Sequence, residues 1–551
     1  MSGNSLTNGV DITPTPSQYL FSIWNGLCGN TVVCSGVTLA ARQGFSEETF
    51  LSAWRSWFRT SYELNINVGY HSGRDEPLTL TLDERDTDES CFRYIENSNT
   101  SMSDVVADEM RTLLNTQMNI GEKHSHNLLV IRFENGEFAI LLAVEHMFAD
   151  GLGVDVLLNR YLALIDSPDD SPISAKERYF EDKIHLDKYA DYQEYDGEFV
   201  RSYAKDVLAK RFFWDPEGRA LAHRKGNYAT LQKRISFSAL KNINHYLTAH
   251  KISLFSYLTG TFVESFFASQ PLQSELLLQI PTHGRKYNQN SLDKHVVGCF
   301  AQAFLLHARR DEHEALPAEQ RFSRLQRYVL DCMGSEIDQL TARRNAASIK
   351  KSAVQSKLTD DAYALSLRKS MPTNIYFSFY GASSLPIQHT SFDIDRYYLA
   401  TTNLAGALDV MAIQYGECLE ISFNYDALFF QEQTIAGLAE CYERLLLDAV
   451  APSVGLVDET TRAPKSDNRN NTLLIDIINK YSLETISAQD LDSHLEIDLG
   501  LDSLLKTRIL SEFMARGTYG EQDINREHFY SAATLAELLD TVIPENGHIR
   551  Q

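Results

Sequence analysis

The 551-residue sequence predicts an α/β protein of two lobes followed by a small all-α domain. Three observations carry this prediction. Before Ala451, strand-like and helix-spaced apolar runs are mixed throughout. The stretch Ala451–Asn471, "APSVGLVDETTRAPKSDNRNN", is polar, charged and punctuated by proline, which is the composition of a linker. From Thr472 only helical patterns remain: "TLLIDIINKY", "SLLKTRILSEFMARG" and "AATLAELLDTVI". The expected divisions are residues 1–180 and 181–455 for the two lobes, 456–471 for the linker and 472–546 for the tethered tail. A chain of this length exceeds one compact core.

Composition narrows the function. The apolar fraction of 43% is that of a globular protein. The net charge of −23 argues against a nucleic-acid binder, because phosphate neutralisation needs clustered Lys and Arg. The seven cysteines are scattered and show no CxxC pair, which fits free thiols in a reducing compartment. No basic-then-apolar leader opens the sequence, and no apolar run approaches the roughly 20 residues of a membrane span. The expectation is a soluble, cytoplasmic protein that engages neither membrane nor nucleic acid.

Along the chain, "HNLLVIRFENGEFAILLAVEH" (residues 126–146) reads as a hairpin around Asn135-Gly136, with a turn of the I′ kind. The following "GVDVLLNRYLALI" has apolar residues at Val154, Leu157, Leu158, Tyr161 and Leu162, which is helix spacing. A softer boundary falls in the charged stretch Ser171–Tyr195. Helical patterns follow ("GEFVRSYAKDVLAKRFFW", "LFSYLTGTFVESFFASQ"), then strand-like ones ("ELLLQIP", "NIYFSFYG", "ALDVMAIQYGECLEISFNYD"). The aromatics from Tyr203 to Phe213 are expected in the core.

Strand alternation orients the end of the hairpin. His146 shares a face with Val144, Leu142 and Ile140, and Glu145 points the other way with Ala143 and Leu141. Asp150 follows near the start of the next helix, where it can accept backbone or arginine hydrogen bonds, and Gly151 offers the freedom of a tight turn. An imidazole with a free pKa of about 6.5 suits a base at neutral pH. The plainer reading is a histidine satisfied in the core.

A second constellation is "LEIDLGLDSLLKTRIL", Leu495–Leu510. Asp502-Ser503 opens an amphipathic helix, and Gly517 is placed to end it. Ser503 would lie in the first turn, where an esterified phosphate meets the positive helix end. Asp-Ser is also an ordinary helix cap. Capping alone does not call for the preceding Leu-Gly-Leu or for a small helical domain on a linker.

These motifs resemble known families. The tail is similar to the peptidyl- or acyl-carrier proteins, whose "LGLDSL" serine receives 4′-phosphopantetheine; the match implies Ser503 as the attachment site. The larger part resembles the condensation domains of nonribosomal peptide synthetases, relatives of chloramphenicol acetyltransferase. Their HHxxxDG motif appears here as "EHMFADG". "TPSQYLFSIW", "YADYQEY", "IPTHGRKYNQNSLDKHVVGCFAQAFLLHARR" and "LEISFNYDALFF" resemble further segments of that family, so the likeness spans Thr15–Ala451 and Thr472 to about Ile543.

The resemblance implies two acetyltransferase-type lobes in a V, a small four-helix carrier domain, and His146 at the lobe junction in a tunnel open at both faces. It implies amide formation, or ester formation, by acyl transfer from a thioester, with His146 removing the acceptor's proton or hydrogen-bonding it into line. Asp150 and Gly151 match the motif's structural residues, and Arg285 matches the arginine that pairs with the aspartate. The implied partners are an upstream donor carrier, a phosphopantetheinyl transferase and a separate adenylation enzyme, since no adenylation domain lies between condensation part and carrier.

This sequence departs from the pattern at Glu145, in place of the first histidine, and at Gln302-Ala303, in place of Asn-Thr. Two alternatives stand beside this reading: an acyltransferase to a free soluble acceptor, and an inactive docking platform for the carrier. No HExxH or Cys-His cluster suggests a metal. His124 and His126 are expected at the surface in a polar turn.

Overall fold

The structure, a computed structural model, describes most of residues 10–448. Not described are a few single positions and residues 70–78, 83–88, 98–100, 121–124, 167–173, 180–196, 220–225, 284–295, 356–359, 387–388 and 403–407. Beyond residue 448 it describes the helix Arg469–Asn479 and scattered positions as far as Leu538. That helix begins inside the expected linker, and most of the expected carrier domain, Ser503 included, lies outside the described residues.

The strands in chain order are β1 (Val10–Ile12), β2 (Val32–Ala41), β3 (Ile66–Gly69), β4 (Thr79–Leu82), β5 (Phe92–Asn97), β6 (His126–Phe133), β7 (Glu137–Glu145), β8 (Tyr228–Ile235), β9 (Glu275–His283), β10 (Ala301–Arg309), β11 (Ile375–Ala382), β12 (Phe392–Thr401), β13 (Leu408–Tyr415) and β14 (Cys418–Asp426). Among the described residues they form a small sheet, β1-β4-β3, and two larger ones, β12-β2-β7-β6-β5 and β10-β9-β11-β13-β14-β8. The first large sheet belongs to the N-terminal lobe, with one exception. Its β12 comes from late in the chain and runs antiparallel to β2, Thr401 opposite Val33. The chain thus leaves the second sheet after β11, completes the first, and returns for β13.

Alternation decides which face of the first sheet packs where. Val33 and Val37 of β2 and Ile140, Leu142 and Val144 of β7 face one way. They pack on Trp54 and Trp57 of helix α2 (Glu47–Thr60) and on Leu157, Leu158 and Tyr161 of α4 (Gly151–Asp166). The opposite face, with Cys34, Leu141 and Ala143, packs on Val106, Met110 and Leu113 of α3 (Met102–Asn115). The second sheet buries Leu278, Phe377, Val410 and Phe423 under the helices Leu254–Ser269 and Glu432–Asp448. The first helix, α1 (Pro16–Cys28), is fixed at its start by a reciprocal cap between Thr15 and Gln18.

Three local expectations need correction. The hairpin joins β6 and β7 as predicted, but its turn is not of the I′ kind. Among the turn residues only Gly136 has a positive φ (83°), and Gly136 N–H donates to the Phe133 carbonyl at 3.0 Å. Asn135 keeps an ordinary φ, so the loop is a three-residue turn closed by a left-handed glycine. His126 is not a surface residue: it opens β6, is 1% exposed, and accepts a hydrogen bond from Trp54 Nε1 at 3.2 Å. The buried indole has one donor to satisfy, and the imidazole satisfies it. His124 lies outside the described residues. Of the expected core aromatics, Tyr203 is buried, while Phe213 lies beyond its helix and is exposed.

Candidate active site

β7 delivers His146 one residue past its end. There the main chain turns away from the sheet, and His146 N–H donates to the Thr31 carbonyl at the start of β2, at 2.6 Å. The Phe21 ring of α1 stacks on the imidazole, with centroids 3.9 Å apart and planes within 8°. Cys299 Sγ lies 3.7 Å from His146 Nδ1. The residue keeps partial contact with solvent. Burial lowers the imidazole pKa from its ordinary value, opposed by a hydrogen bond to its own backbone and by the charge of Asp150. A lowered pKa keeps the ring neutral near pH 7, the form that accepts a proton.

Glu145 occupies the opposite face and is fully buried. Its carboxyl hydrogen-bonds the Thr31 hydroxyl and accepts Thr31 N–H at 3.3 Å. Thr31 therefore binds Glu145 through its hydroxyl and amide and His146 through its carbonyl. Burial raises the Glu145 pKa well above the carboxylate range, against the backbone hydrogen bond from Thr31 and contacts from Asn25 and the His146 backbone. The carboxyl braces the strand end through Thr31.

Asp150 is the other fixed point. It caps α4, with Oδ1 accepting Gly153 N–H at 2.9 Å. Its Oδ2 accepts Phe300 N–H at 3.0 Å, and its own N–H donates to the Gly298 carbonyl at 3.1 Å. The carboxylate thus fastens the segment before β10 to the start of α4. Arg285, its implied partner, lies outside the described residues.

Gly151 is required for a reason other than the one expected. Its φ is not in the left-handed region. Instead, a Cβ there would meet Tyr380 Cε1 at 2.0 Å and Cζ at 2.4 Å. The need is for space against a ring of β11, in the second sheet. Gln302 is buried near the start of β10 and pairs across to Thr282.

The structure brings His146, Asp150 and Gly151 together. It adds Phe21, Thr31, Cys299 and Tyr380, which no spacing rule links to the histidine because they come from distant parts of the chain. Phe21 and Cys299 do lie within two of the segments that carry the resemblance. Among the described residues, no group of three or more His, Cys, Asp and Glu side chains could hold a metal ion. No described helix is long and apolar enough to cross a membrane.

No family model matches the sequence, and no curated protein matches it. Solved structures do match in fold. The first condensation domain of the CDA synthetase superposes with a TM-score of 0.61 at 11% identity, over 82% of this chain and 98% of that one. The epimerization domain from the third module of tyrocidine synthetase B gives 0.53 at 17% identity, over 81% and 99%. The trichothecene 15-O-acetyltransferase of Fusarium sporotrichioides gives 0.57 at 13%, over 82% and 96%. At these identities the likeness establishes the fold: the mixed α/β architecture of two sheet-rich lobes that these proteins share.

Proposed function

We propose that this chain is an acyltransferase of the condensation type, joining an acyl group from a carrier-bound thioester to an acceptor amine. The observation that carries the reading is the setting of His146: a largely enclosed, partly accessible imidazole with depressed basicity, held at a strand end near the helix-capping Asp150. The fold shared with condensation domains supports the reaction class.

The acceptor nitrogen attacks the thioester carbonyl carbon. His146 takes the proton from that nitrogen, or holds its N–H in line. The carbon–sulfur bond breaks, and the proton leaves with the thiolate as a free thiol. Enclosing both reactants in one site makes the encounter nearly unimolecular. We assign Ser503 as the attachment point of 4′-phosphopantetheine, which when bound supplies a thiol arm for the acceptor. Its place downstream favours the acceptor role, with loading by a separate adenylation enzyme and donation from an upstream carrier.

A second reading, transfer to a free soluble acceptor, is favoured by the fold likeness to a trichothecene acetyltransferase. Intact-protein mass spectrometry separates the two. After phosphopantetheinylation and addition of candidate donor carriers, a product mass should arrive on Ser503. The His146→Ala variant should be loaded normally yet form no product. Full turnover by that variant would sink the assignment. Product formed equally well by Ser503→Ala, on a soluble acceptor, would favour the second reading. The acid limb of the rate profile should lie below the ordinary imidazole value of about 6.5, because burial depresses the His146 pKa.

A further inference from the structure

Strand β11 alternates between two surroundings. Ile375 and Phe377 lie in the core of the second sheet, so Tyr376, Ser378 and Tyr380 face the other way. There Tyr380 packs on the N-terminal core. Its ring is seated on Gly151: a Cβ at that glycine would meet Cε1 at 2.0 Å and the hydroxyl at 2.6 Å. Gly151 follows Asp150 at the head of α4, and the charge of Asp150 reaches both the His146 imidazole and the Tyr380 phenol. The second lobe thus places a phenol in the surroundings of the histidine. Tyr380 is partly exposed, and among the described residues its hydroxyl has no hydrogen-bond partner.

We propose that Tyr380 is a binding residue for the acceptor: its hydroxyl oxygen accepts a hydrogen bond from one N–H of the incoming amine while His146 engages another, and the pair selects an amine over an alcohol. The inference rests on the acyl-transfer reading and names the acceptor class together with a residue that reads it. A primary amine brings two hydrogens and still keeps its lone pair for attack, whereas an alcohol brings one hydrogen. With two acceptors facing it, the amine satisfies both, and the alcohol leaves one unpaired in a largely enclosed site.

The local charge points the same way. Asp409 of β13 is buried and lies opposite Tyr376 in the register. Burial, then the charges of Asp409 and Asp150, hold the Tyr380 proton well above the ordinary phenol range, so the group stays neutral. The same charges draw the O–H dipole toward themselves and leave the oxygen lone pairs for a donor. Two carboxylates favour a nitrogen that gains positive charge as it attacks, and oppose an oxygen that gains negative charge. Tyr380 therefore suits the acceptor and not the thioester carbonyl. The surface behind it is rich in acceptors as well. Tyr376, on the same face and 7% exposed, has an unpartnered hydroxyl. Asn424, opposite Asp409 on β14, donates its amide to the Asp409 carbonyl at 3.2 Å, which leaves its oxygen unpaired.

The test uses the full chain and two stable pantetheine amides that differ in one group: glycyl-aminopantetheine, with a free amine, and glycolyl-aminopantetheine, with a hydroxyl in its place. Calorimetric titration of each needs no turnover. The parent should bind the amine compound about tenfold more tightly. Tyr380→Phe keeps the ring on Gly151 and removes an oxygen that bonds to nothing described in the fold, so it should fold as the parent does. It should weaken the amine compound by about threefold to tenfold, the effect of one hydrogen bond, and the hydroxyl compound by less than about twofold. A purely structural ring would shift both alike. Asp409→Asn, which removes a charge, should narrow the same ratio. With a supplied donor thioester, Tyr380→Phe should raise the acceptor KM by a similar factor and leave the donor KM within about twofold.

A parent that binds the two compounds equally, or binds neither, would overturn the proposal, as would an unchanged ratio in Tyr380→Phe. Should Tyr380→Phe fail to fold, the parent ratio and Asp409→Asn decide in the same way. Full turnover by His146→Ala would instead overturn the acyl-transfer reading and leave the binding ratios standing.

Discussion

Replacing Gly151 by alanine adds a single methyl group where the first lobe touches the second sheet. The new Cβ would lie 2.0 Å from Tyr380 Cε1, 2.4 Å from Cζ and 2.6 Å from the hydroxyl. These separations are far inside van der Waals contact, so the Tyr380 ring must move. It cannot move freely, because it packs against the N-terminal core and lies close to Asp150 and Asp409. Overpacking of this kind costs about 1–3 kcal/mol. Helix propensity opposes this by under about 1 kcal/mol, since alanine is the better helix residue at an α4 position. The net expectation is a destabilisation of about 1–2 kcal/mol.

The assay is thermal or urea unfolding of Gly151→Ala, Tyr380→Leu and the double variant. Tyr380→Leu removes the atoms that collide. The double variant should therefore lose less than the sum of the singles, by about 1 kcal/mol or more. Strict additivity, or a Gly151→Ala protein as stable as the parent, would show that the glycine is not required by this contact.

Two further outcomes follow from buried charge. Glu145→Gln should stabilise the protein, and more so as pH rises. The folded carboxyl has a raised pKa, so its stability contribution is complete below the unfolded value of about 4.3 and is lost as pH climbs toward the folded one. Glutamine does not titrate, and each unit of displacement corresponds to about 1.4 kcal/mol. Melts at about pH 4.5 and about pH 8 should show a gap that widens with pH; a constant gap would mean that Glu145 is ionised in the fold. Asp426→Ala should cost about 3–5 kcal/mol, because it removes the carboxylate 3.1 Å from the buried Arg368 guanidinium. Adding Arg368→Met should recover part of that loss in urea unfolding, and no recovery would count against the pair.

How much of this was legible in the sequence depends on how local each feature is. The hairpin and its facing were readable because alternation is a property of adjacent residues. Val144 packs in one core and Ala143 in the other, and Glu145 lies opposite Val32 on the Ala143 side, as the pattern demands. The turn type is not fixed by Asn-Gly, which is compatible with two loops, and the three-residue loop around Gly136 forms. The burial of His126 is hidden from local pattern for a related reason. Its polar neighbours mark a turn, but the strand starts at the histidine itself, and its partner Trp54 sits on a helix far back in the chain. β12 could not be placed at all: its strand pattern is visible, but nothing local says that it pairs with β2.

The candidate site divides along the same line. Its position at a helix start marks Asp150 as an acceptor of backbone hydrogen bonds, and it caps α4 through Gly153. That it also holds Gly298 and Phe300, and so aims Cys299 at the imidazole, requires the two segments to meet in space. Glu145 shows why such a departure from a motif can be accommodated. Alternation sends its side chain through the sheet to the far face, where Thr31 receives it. The same threonine, through its carbonyl, holds the His146 amide. Glu145 thus bears on His146 through the main chain, by way of Thr31 and the His146 backbone. Burial raises the pKa of this carboxyl and so disfavours a negative charge at that anchor, beside a base whose own pKa burial lowers.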